Sequence, residues 1–416
     1  MISNSETAST ITQINGVDAA AYVTDLGSKV TGYQDKDAAY NTMFYSLGQH
    51  SAHRSWGRFT QGGRNRFLYP GSHTTFLFAN GSDVTLQNTA MVTAADMTGV
   101  VDGQSYYDKF CNPNGMTPIK SNTAKNETTL PTPVSAPPTI PGYPSPIAIT
   151  SDKVASCYYL NGKGYDDVVV ISILDFIADS LLEFQRVIQE CIASSVRAGK
   201  TKLVLDLQAN GGGYIVLANV VFRQLFPSIQ EDSLSRWKET TGFLAAAEIV
   251  SGLVADLDSH NESDSALDKD WRSSFNYRYD LNSSGQPFVN FDEKFGPHTY
   301  QNTNYTSLLR WSRDDYFTRL YDNSSSDPQI AGNGSLISPS QPFQSKNIIL
   351  LYDGTCASSC SLISDMLRNQ AGVQSISMGG RPIEGLTQGV GGVKGSQTLH
   401  WAESEWLQHP DNRFWL

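Results

Sequence analysis

The sequence predicts an α/β fold built on a parallel sheet, interrupted by a long insertion and preceded by a β-rich N-terminal region. Two observations carry this prediction. Three strand-length apolar runs recur, DDVVVISIL (166–174), TKLVLDL (201–207) and NIILLYDG (347–354), and VQSISMGG (373–380) reads as the next strand. Continuous rather than alternating apolar character is the mark of strands covered on both faces, as in parallel sheets. Between them lie segments of helical period. Residues 175–198 place Ile177, Leu181, Phe184, Val187, Ile188 and Cys191 three or four apart, and Gly199 closes that helix. The runs 214–226 and 357–369 read as helices that open directly from strand ends. Strand–helix–strand–helix order of this kind is a βαβ unit with a right-handed crossover.

The flanking parts are less regular. ITQINGVDAAAYVTDLG (11–27) reads as a strand, an Asn-Gly turn and a helix capped by Asp18. Short alternating runs from 39 to 93, such as HTTFLFANGSDVTLQ, predict antiparallel strands. The Pro-rich stretch 112–148 predicts a linker or extended surface loop. Residues 227–340 carry one predicted helix (242–257) among polar Asn-, Asp- and Ser-rich stretches and read as an insertion. The expected division is therefore 1–111, the linker 112–148, and a core of 149–416 that contains the 227–340 insertion.

Composition excludes several functions. The chain has 416 residues, a net charge of −11 and no Lys/Arg run, so no nucleic-acid partner is expected. No apolar run reaches 18 residues, so no membrane span is expected. The five cysteines form no CxxC pair, which argues against zinc, and no cue for a metal or organic cofactor is present. Their odd number leaves at least one thiol outside any disulfide set. The first residues lack the basic and apolar regions of a signal peptide. Seven N-x-[ST] sequons, at Asn80, Asn126, Asn261, Asn282, Asn304, Asn323 and Asn333, lean toward a secretory history, although composition alone yields about five. A missing leader together with these sequons suggests that the natural beginning lies upstream.

Two strand-to-helix junctions hold the residues suited to chemistry. The first is Asp206-Leu207-Gln208-Ala209-Asn210-Gly211-Gly212-Gly213. Glycines at a strand's carboxyl end allow close backbone approach, and the helix after them aims free N–H groups at the same spot, which suits an oxyanion. A plain flexible loop is the alternative. The second is Asp353-Gly354-Thr355-Cys356-Ala357-Ser358-Ser359-Cys360-Ser361. A serine at such a junction presents its hydroxyl beside outward N–H groups, as a nucleophile elbow requires. Helix capping by one of these serines is the alternative. Cys356 and Cys360 read as fillers of small packing niches, with no paired histidine to activate either.

Taken together, the junctions resemble the tail-specific (C-terminal processing) serine peptidases. LVLDLQANGGG resembles that family's Asp-Leu-Arg-x-Asn-x-Gly-Gly motif, and YDGTCASSCSLISDML its Gly-Ser-Ala-Ser-Ala-Ser-Glu nucleophile segment. MGGRPIEGLTQGVGGVKGSQ resembles the Gly-x-x-Thr-x-Gly-Lys-Gly-x-x-Gln segment. INGVDAAAYV, DKDAAYNTMFYS and YPGSHTTFLFANGS resemble the PDZ-like region of the fungal secreted branch, itself similar to the chlamydial protease-like activity factor.

The resemblance implies a crotonase/ClpP-like ββα core, a partial PDZ-like N-terminal region, a polypeptide substrate and a secreted protein. It implies Ser358 as nucleophile, with Ser359 next in line. It also implies Lys394 as general base, Gln397 beside it, and Gly212, Gly213 and Ser359 as oxyanion donors.

There are departures. Ser358 and Lys394 stand 36 residues apart, more than is usual in the family, the excess falling in RPIEGLTQGV. The chlamydial-type branch uses a Ser–His–Glu triad, and the resemblance implies histidine and glutamate positions outside this chain. His50 and His53 are the nearest histidines by sequence and read as surface-loop residues. Lys394 could equally be a structural ion-pair partner. Two other classes stay open: an inactive or truncated relative that only binds peptide, and an acyl-CoA enzyme of crotonase type. The latter has no role for Ser358.

Overall fold

The computed structural model describes residues 8–53, 55–61, 68–89, 97–112, 138–256, 270–271, 273–310 and 340–392. The chain divides into two compact units. One comprises residues 1–22 and 67–137, the other 23–66 and 138–416.

The first unit holds an antiparallel sheet of order β2-β1-β3-β4, with β1 (Ile11–Ile14), β2 (Val17–Asp18), β3 (His73–Phe78) and β4 (Asp83–Gln87). Asn15 and Gly16 both have positive φ, 51° and 78°, as a tight I′ hairpin requires. Asp18 Oδ1 accepts the Ala21 N–H at 2.9 Å and starts helix Ala19–Val30, as the sequence predicts.

The second unit is built on a six-stranded sheet of order β14-β13-β8-β7-β6-β5. Its strands are β5 (Ala148–Ile149), β6 (Ala155–Tyr159), β7 (Val168–Ile173), β8 (Lys202–Asp206), β13 (Ile348–Tyr352) and β14 (Gln374–Ser377). The four predicted strands run parallel, in register Val170↔Val204↔Ile349↔Gln374. The sheet as a whole is mixed, which corrects the expectation of a purely parallel one: β5 and β6 pair antiparallel to one another and β6 to β7. Both are joined by short turns, which antiparallel pairs permit and parallel pairs do not.

Helices Leu181–Arg197, Ile215–Leu225 and Ser359–Asp365 pack side by side over this sheet. Phe184, Ile188 and Phe222, all fully buried, join Ile171, Leu205 and Leu350 of the strands in one core. Each such side chain contributes about 1.5–3 kcal/mol of burial free energy. Cys157 of β6 is disulfide-bonded to Cys191 of helix Leu181–Arg197 across 34 residues. The chain-entropy model assigns such a loop about 4 kcal/mol.

Two further expectations are corrected. Within the expected strand region 39–93, residues 39–53 and 55–61 form no strand. Helices Lys36–Thr42, Leu47–His53 and Arg58–Gln61 lie there instead, the first capped by Asp35, whose carboxylate accepts the Ala38 N–H at 2.8 Å. The helix expected over 175–198 begins only at Leu181, where Ser180 Oγ accepts the Glu183 N–H at 3.2 Å. The residues before it are drawn to the glycine-rich turn instead: Phe176 N–H donates to Gly212 O at 2.9 Å, and Tyr214 N–H to Phe176 O at 3.0 Å.

Within the insertion lie helix Thr241–Leu253, the short helix Phe291–Phe295, and two antiparallel ladders. One ladder pairs β9 (Leu281–Asn282) with β12 (Leu309–Arg310), the other β10 (His298–Tyr300) with β11 (Thr303–Tyr305). Fully buried Lys294 organises it, donating to Asp280 Oδ2 at 2.7 Å and to the carbonyls of Ser274 and Asn276 at 2.8 Å each. Burial lowers the Lys294 pKa, and the Asp280 carboxylate opposes that shift. The Arg223–Glu231 pair, 2.6 Å from Nε to Oε2, ties helix Ile215–Leu225 to this region.

Candidate active site

The two junctions meet at the carboxyl ends of adjacent strands, because β8 pairs directly with β13. Gly212 follows β8, and Ser358 follows β13. A Cβ placed on Gly212 would lie 2.6 Å from Ser358 Cβ and 2.8 Å from the Ala357 carbonyl. Gly212 also has φ +112°, so both space and backbone demand glycine there. The glycine-rich turn is therefore a seat for the serine turn.

Ser358 stands just before helix Ser359–Asp365 with φ +50° and ψ −122°. Such a backbone is costly for a non-glycine residue and marks functional turns. Its side chain makes no capping hydrogen bond, so the capping alternative does not describe it. Ser358 is half-buried, whereas Ser359 is fully buried with its hydroxyl unpartnered, which separates the two candidates by access. Among the described residues no side chain hydrogen-bonds Ser358 Oγ.

The expected donors differ in state. Gly212 N–H is donated to Asn210 Oδ1 at 2.9 Å, while Asn210 Nδ2 holds the Ile173 carbonyl at 2.9 Å. Among the described residues the N–H groups of Gly213 and Ser359 make no hydrogen bond, and the Ser359 nitrogen lies 3.2 Å from where a Gly212 Cβ would be. The Gly213 backbone is pinned against Phe176, with 2.4 Å between a would-be Cβ and the Phe176 carbonyl carbon.

Asp353 joins the junctions, a role that its place in the sequence does not reveal. Its Oδ2 accepts the Ala209 N–H at 2.9 Å, and its Oδ1 accepts both the N–H (3.0 Å) and the hydroxyl of Thr355. Asn41 Nδ2 donates to the Asp353 carbonyl at 2.8 Å, and Asn41 Oδ1 accepts the Gly380 N–H at 2.7 Å. Asp37 accepts Arg381 Nε at 2.8 Å, and that guanidinium holds the carboxyl below its usual range. Helix Lys36–Thr42 thus braces the serine turn. Asx and Asn side chains in loops carry no periodic signature, so only the folded arrangement reveals them.

Asp206 lies nearby and is buried. Burial raises its pKa to about 6, and the neighbouring Asp353 adds to the rise, against hydrogen bonds from Gln208 N–H and Ser172 Oγ. Tyr33 is pushed up to about 12 by burial and by the Asp353 charge.

Helix Leu47–His53 flanks the glycine-rich turn, the place of a Gly48 Cβ being 3.3 Å from Ala209 Cβ. His50 on that helix is half-buried, its ring 4.3 Å from that of Trp56 and its Nδ1 buried without a partner. It is not the surface-loop residue the sequence suggests. The side chain of His53 lies outside the described residues, as do Lys394 and Gln397. Cys356 and Cys360 are fully buried, as expected of niche fillers, but they are disulfide-bonded to each other, and Cys111 is an exposed free thiol. Among the described residues no cluster of His, Cys, Asp and Glu could hold a metal, and no helix is long and apolar enough to cross a membrane.

Comparison with known proteins finds similar chains. Residues 1–96 match the CPAF-like PDZ domain family. The chain is 29% identical over 407 residues to the peptidase S41 family protein phomP1' of Diaporthe leptostromiformis, which covers 94% of this chain and 58% of that protein. It is 29% identical over 342 residues to the peptidase S41 family protein ustP of Aspergillus flavus, covering 79% of this chain and 67% of the other. Among solved structures, mature CPAF complexed with lactacystin aligns over 88% of this chain and 62% of that one, at 14% identity and a TM-score of 0.37. The chain is thus similar to peptidase S41 family proteins over most of its length, and to a CPAF-like PDZ domain over its first 96 residues. It spans 58% of the length of the first of these relatives.

Two outcomes follow. Gly212→Ala forces a Cβ into Ser358 and strains the backbone, so it lowers stability by about 2–4 kcal/mol in urea titration, far more than Gly211→Ala. Asp206 binds its proton more tightly folded than unfolded. Its favourable contribution is present below pH 4 and is lost as pH rises through about 6. Asp206→Asn therefore gains on wild type by up to about 3 kcal/mol between pH 4 and 7.5; parallel urea curves at the two pH values would refute this.

Proposed function

We propose that this chain carries the core of a serine-type endopeptidase in which Ser358 attacks a peptide carbonyl. The observation that supports it most is the positive-φ Ser358 seated against Gly212, at the carboxyl rim shared by β8 and β13. In this reading Ser358 Oγ bonds to the carbonyl carbon and its proton passes to the general base. The carbonyl oxygen takes the negative charge and is met by the free N–H groups of Gly213 and Ser359. Gly212 serves as a donor once Asn210 releases it. The C–N bond then breaks, the amine departs with the base's proton, and water hydrolyses the acyl-enzyme.

Lys394 is the proposed base; to act so it must be desolvated and neutral at working pH. His50 is the second base candidate, favoured by its unpartnered Nδ1 on the helix that flanks the glycine-rich turn. A fluorophosphonate probe tests the assignment. Labelling should map to Ser358, vanish in Ser358→Ala, and drop at least about a hundredfold in Lys394→Ala. Wild-type labelling in Lys394→Ala passes the role to His50→Ala as the sensitive variant. A folded wild-type protein that never labels would favour a peptide-binding role without catalysis.

We further propose a secreted protein. Two buried disulfides and the exposed sequon residues Asn80 and Asn304 support an oxidising, glycosylating compartment. Protein from its natural source should lose mass on N-glycosidase treatment; an unchanged mass together with free thiols at Cys157 and Cys356 would overturn this.

A further inference from the structure

The Cys356–Cys360 disulfide brackets the serine turn, and its place in the chain is informative. It encloses only Ala357, Ser358 and Ser359. Ser358 holds a backbone conformation, φ +50° and ψ −122°, that an L-residue does not keep unless its surroundings impose it.

On either side the chain is held mainly through backbone hydrogen bonds, two of which end on carbonyls inside the bracket. Upstream, Asp353 fixes Thr355, while the Gly391 and Gly392 N–H groups donate to the carbonyls of Gly354 (2.9 Å) and Cys356 (3.1 Å). Downstream, the first helical turn begins with Cys360 N–H donating to Ala357 O (3.0 Å) and Leu362 N–H to Ser358 O (3.1 Å). Within the bracket no side chain helps: among the described residues Ser358 Oγ has no partner, and Ser359 Oγ is buried without one. Both cysteines are fully buried in the main core, so the bracket is anchored at each end.

We infer that the Cys356–Cys360 disulfide is a positioning element that holds Ser358 in its half-buried, positive-φ turn, resting on the reading of Ser358 as nucleophile. A bond closing so short a loop removes less unfolded-state freedom than one spanning 34 residues. Its effect is therefore local geometry, whereas Cys157–Cys191 secures the fold as a whole. Oxidation thereby sets the readiness of the serine, not merely the survival of the protein. A thiol pair at 356 and 360 would let the turn relax toward an ordinary helix start, with the hydroxyl rotated away from the Gly212 seat.

The test compares Cys356→Ala/Cys360→Ala with Cys157→Ala/Cys191→Ala. Amide exchange of Cys360, Ser361 and Leu362 (alanine at 360 in the first variant) and the rate of fluorophosphonate labelling at Ser358 are read beside Tm. The first double variant should speed exchange and slow labelling, each by about tenfold or more, with the amides of β7 and β8 unchanged. The second should lower Tm further and leave both local readouts near wild type. Unchanged exchange at those three amides overturns the inference, whether or not Ser358 labels. Faster exchange in a protein whose wild type never labels sustains the bracket and removes the peptidase reading instead. Should the first variant fail to fold, wild type reduced with dithiothreitol and alkylated at Cys356 and Cys360 gives the same comparison, and an unaltered turn in that sample overturns the inference equally.

Discussion

The Asp353 carboxylate is the interaction on which the arrangement of this chain turns. It leaves the end of β13, reaches across to the Ala209 N–H beyond β8, and holds Thr355 on its own side. One buried acceptor thus spans two strand-to-helix junctions that are 144 residues apart in sequence. Such a group must be fully hydrogen-bonded to be tolerated in a core, and here both oxygens are engaged. If it were lost, the buried N–H groups of Ala209 and Thr355 would be orphaned together, and the seat and the serine would no longer share a frame.

Burial governs the electrostatics around that clamp. Enclosure makes a charge on Asp206 unfavourable, and the neighbouring Asp353 adds to this, so Asp206 retains its proton to unusually high pH. Burial raises Tyr33 too, again with Asp353 adding. The rim of the sheet therefore combines one carboxylate satisfied by backbone N–H groups with a neighbour that resists ionisation. Polar groups are concentrated where the backbone is strained, as at sites where stability is given up for placement.

Around this centre the fold supplies rigidity in layers. Parallel pairing of β7, β8 and β13 fixes the height at which the two junctions emerge. Helix Lys36–Thr42 reaches in from far upstream and holds both Asp353 and the 378–381 segment through Asn41 and Asp37. The Cys157–Cys191 bond secures the sheet's antiparallel flank to its longest helix. The buried Lys294–Asp280 pair draws described parts of the insertion together around one buried cation.

The four parallel strands, helix Ile215–Leu225 and both glycine- and serine-rich junctions were legible in the chain, because each is a local pattern. Apolar runs have the length of buried strands, and small residues cluster where backbone must approach backbone. The start of helix Leu181–Arg197 was misplaced, because Phe176 exchanges helical hydrogen bonds for a pairing with the Gly212–Tyr214 turn, a partner no window of sequence contains. The helices of 36–61 were hidden for a similar reason: mixed polar and aromatic spacing does not reveal that Asp37 and Asn41 serve partners more than 300 residues away. Residue types and their order determined by themselves which chemistry the junctions could host. Only the tertiary structure decided that Ser358, not Ser359, is accessible, that Gly212 is its seat, and that Cys356 and Cys360 close on each other. Accessibility, positive φ and disulfide pairing depend on which strands become neighbours, and neighbourhood is a property of the packed chain.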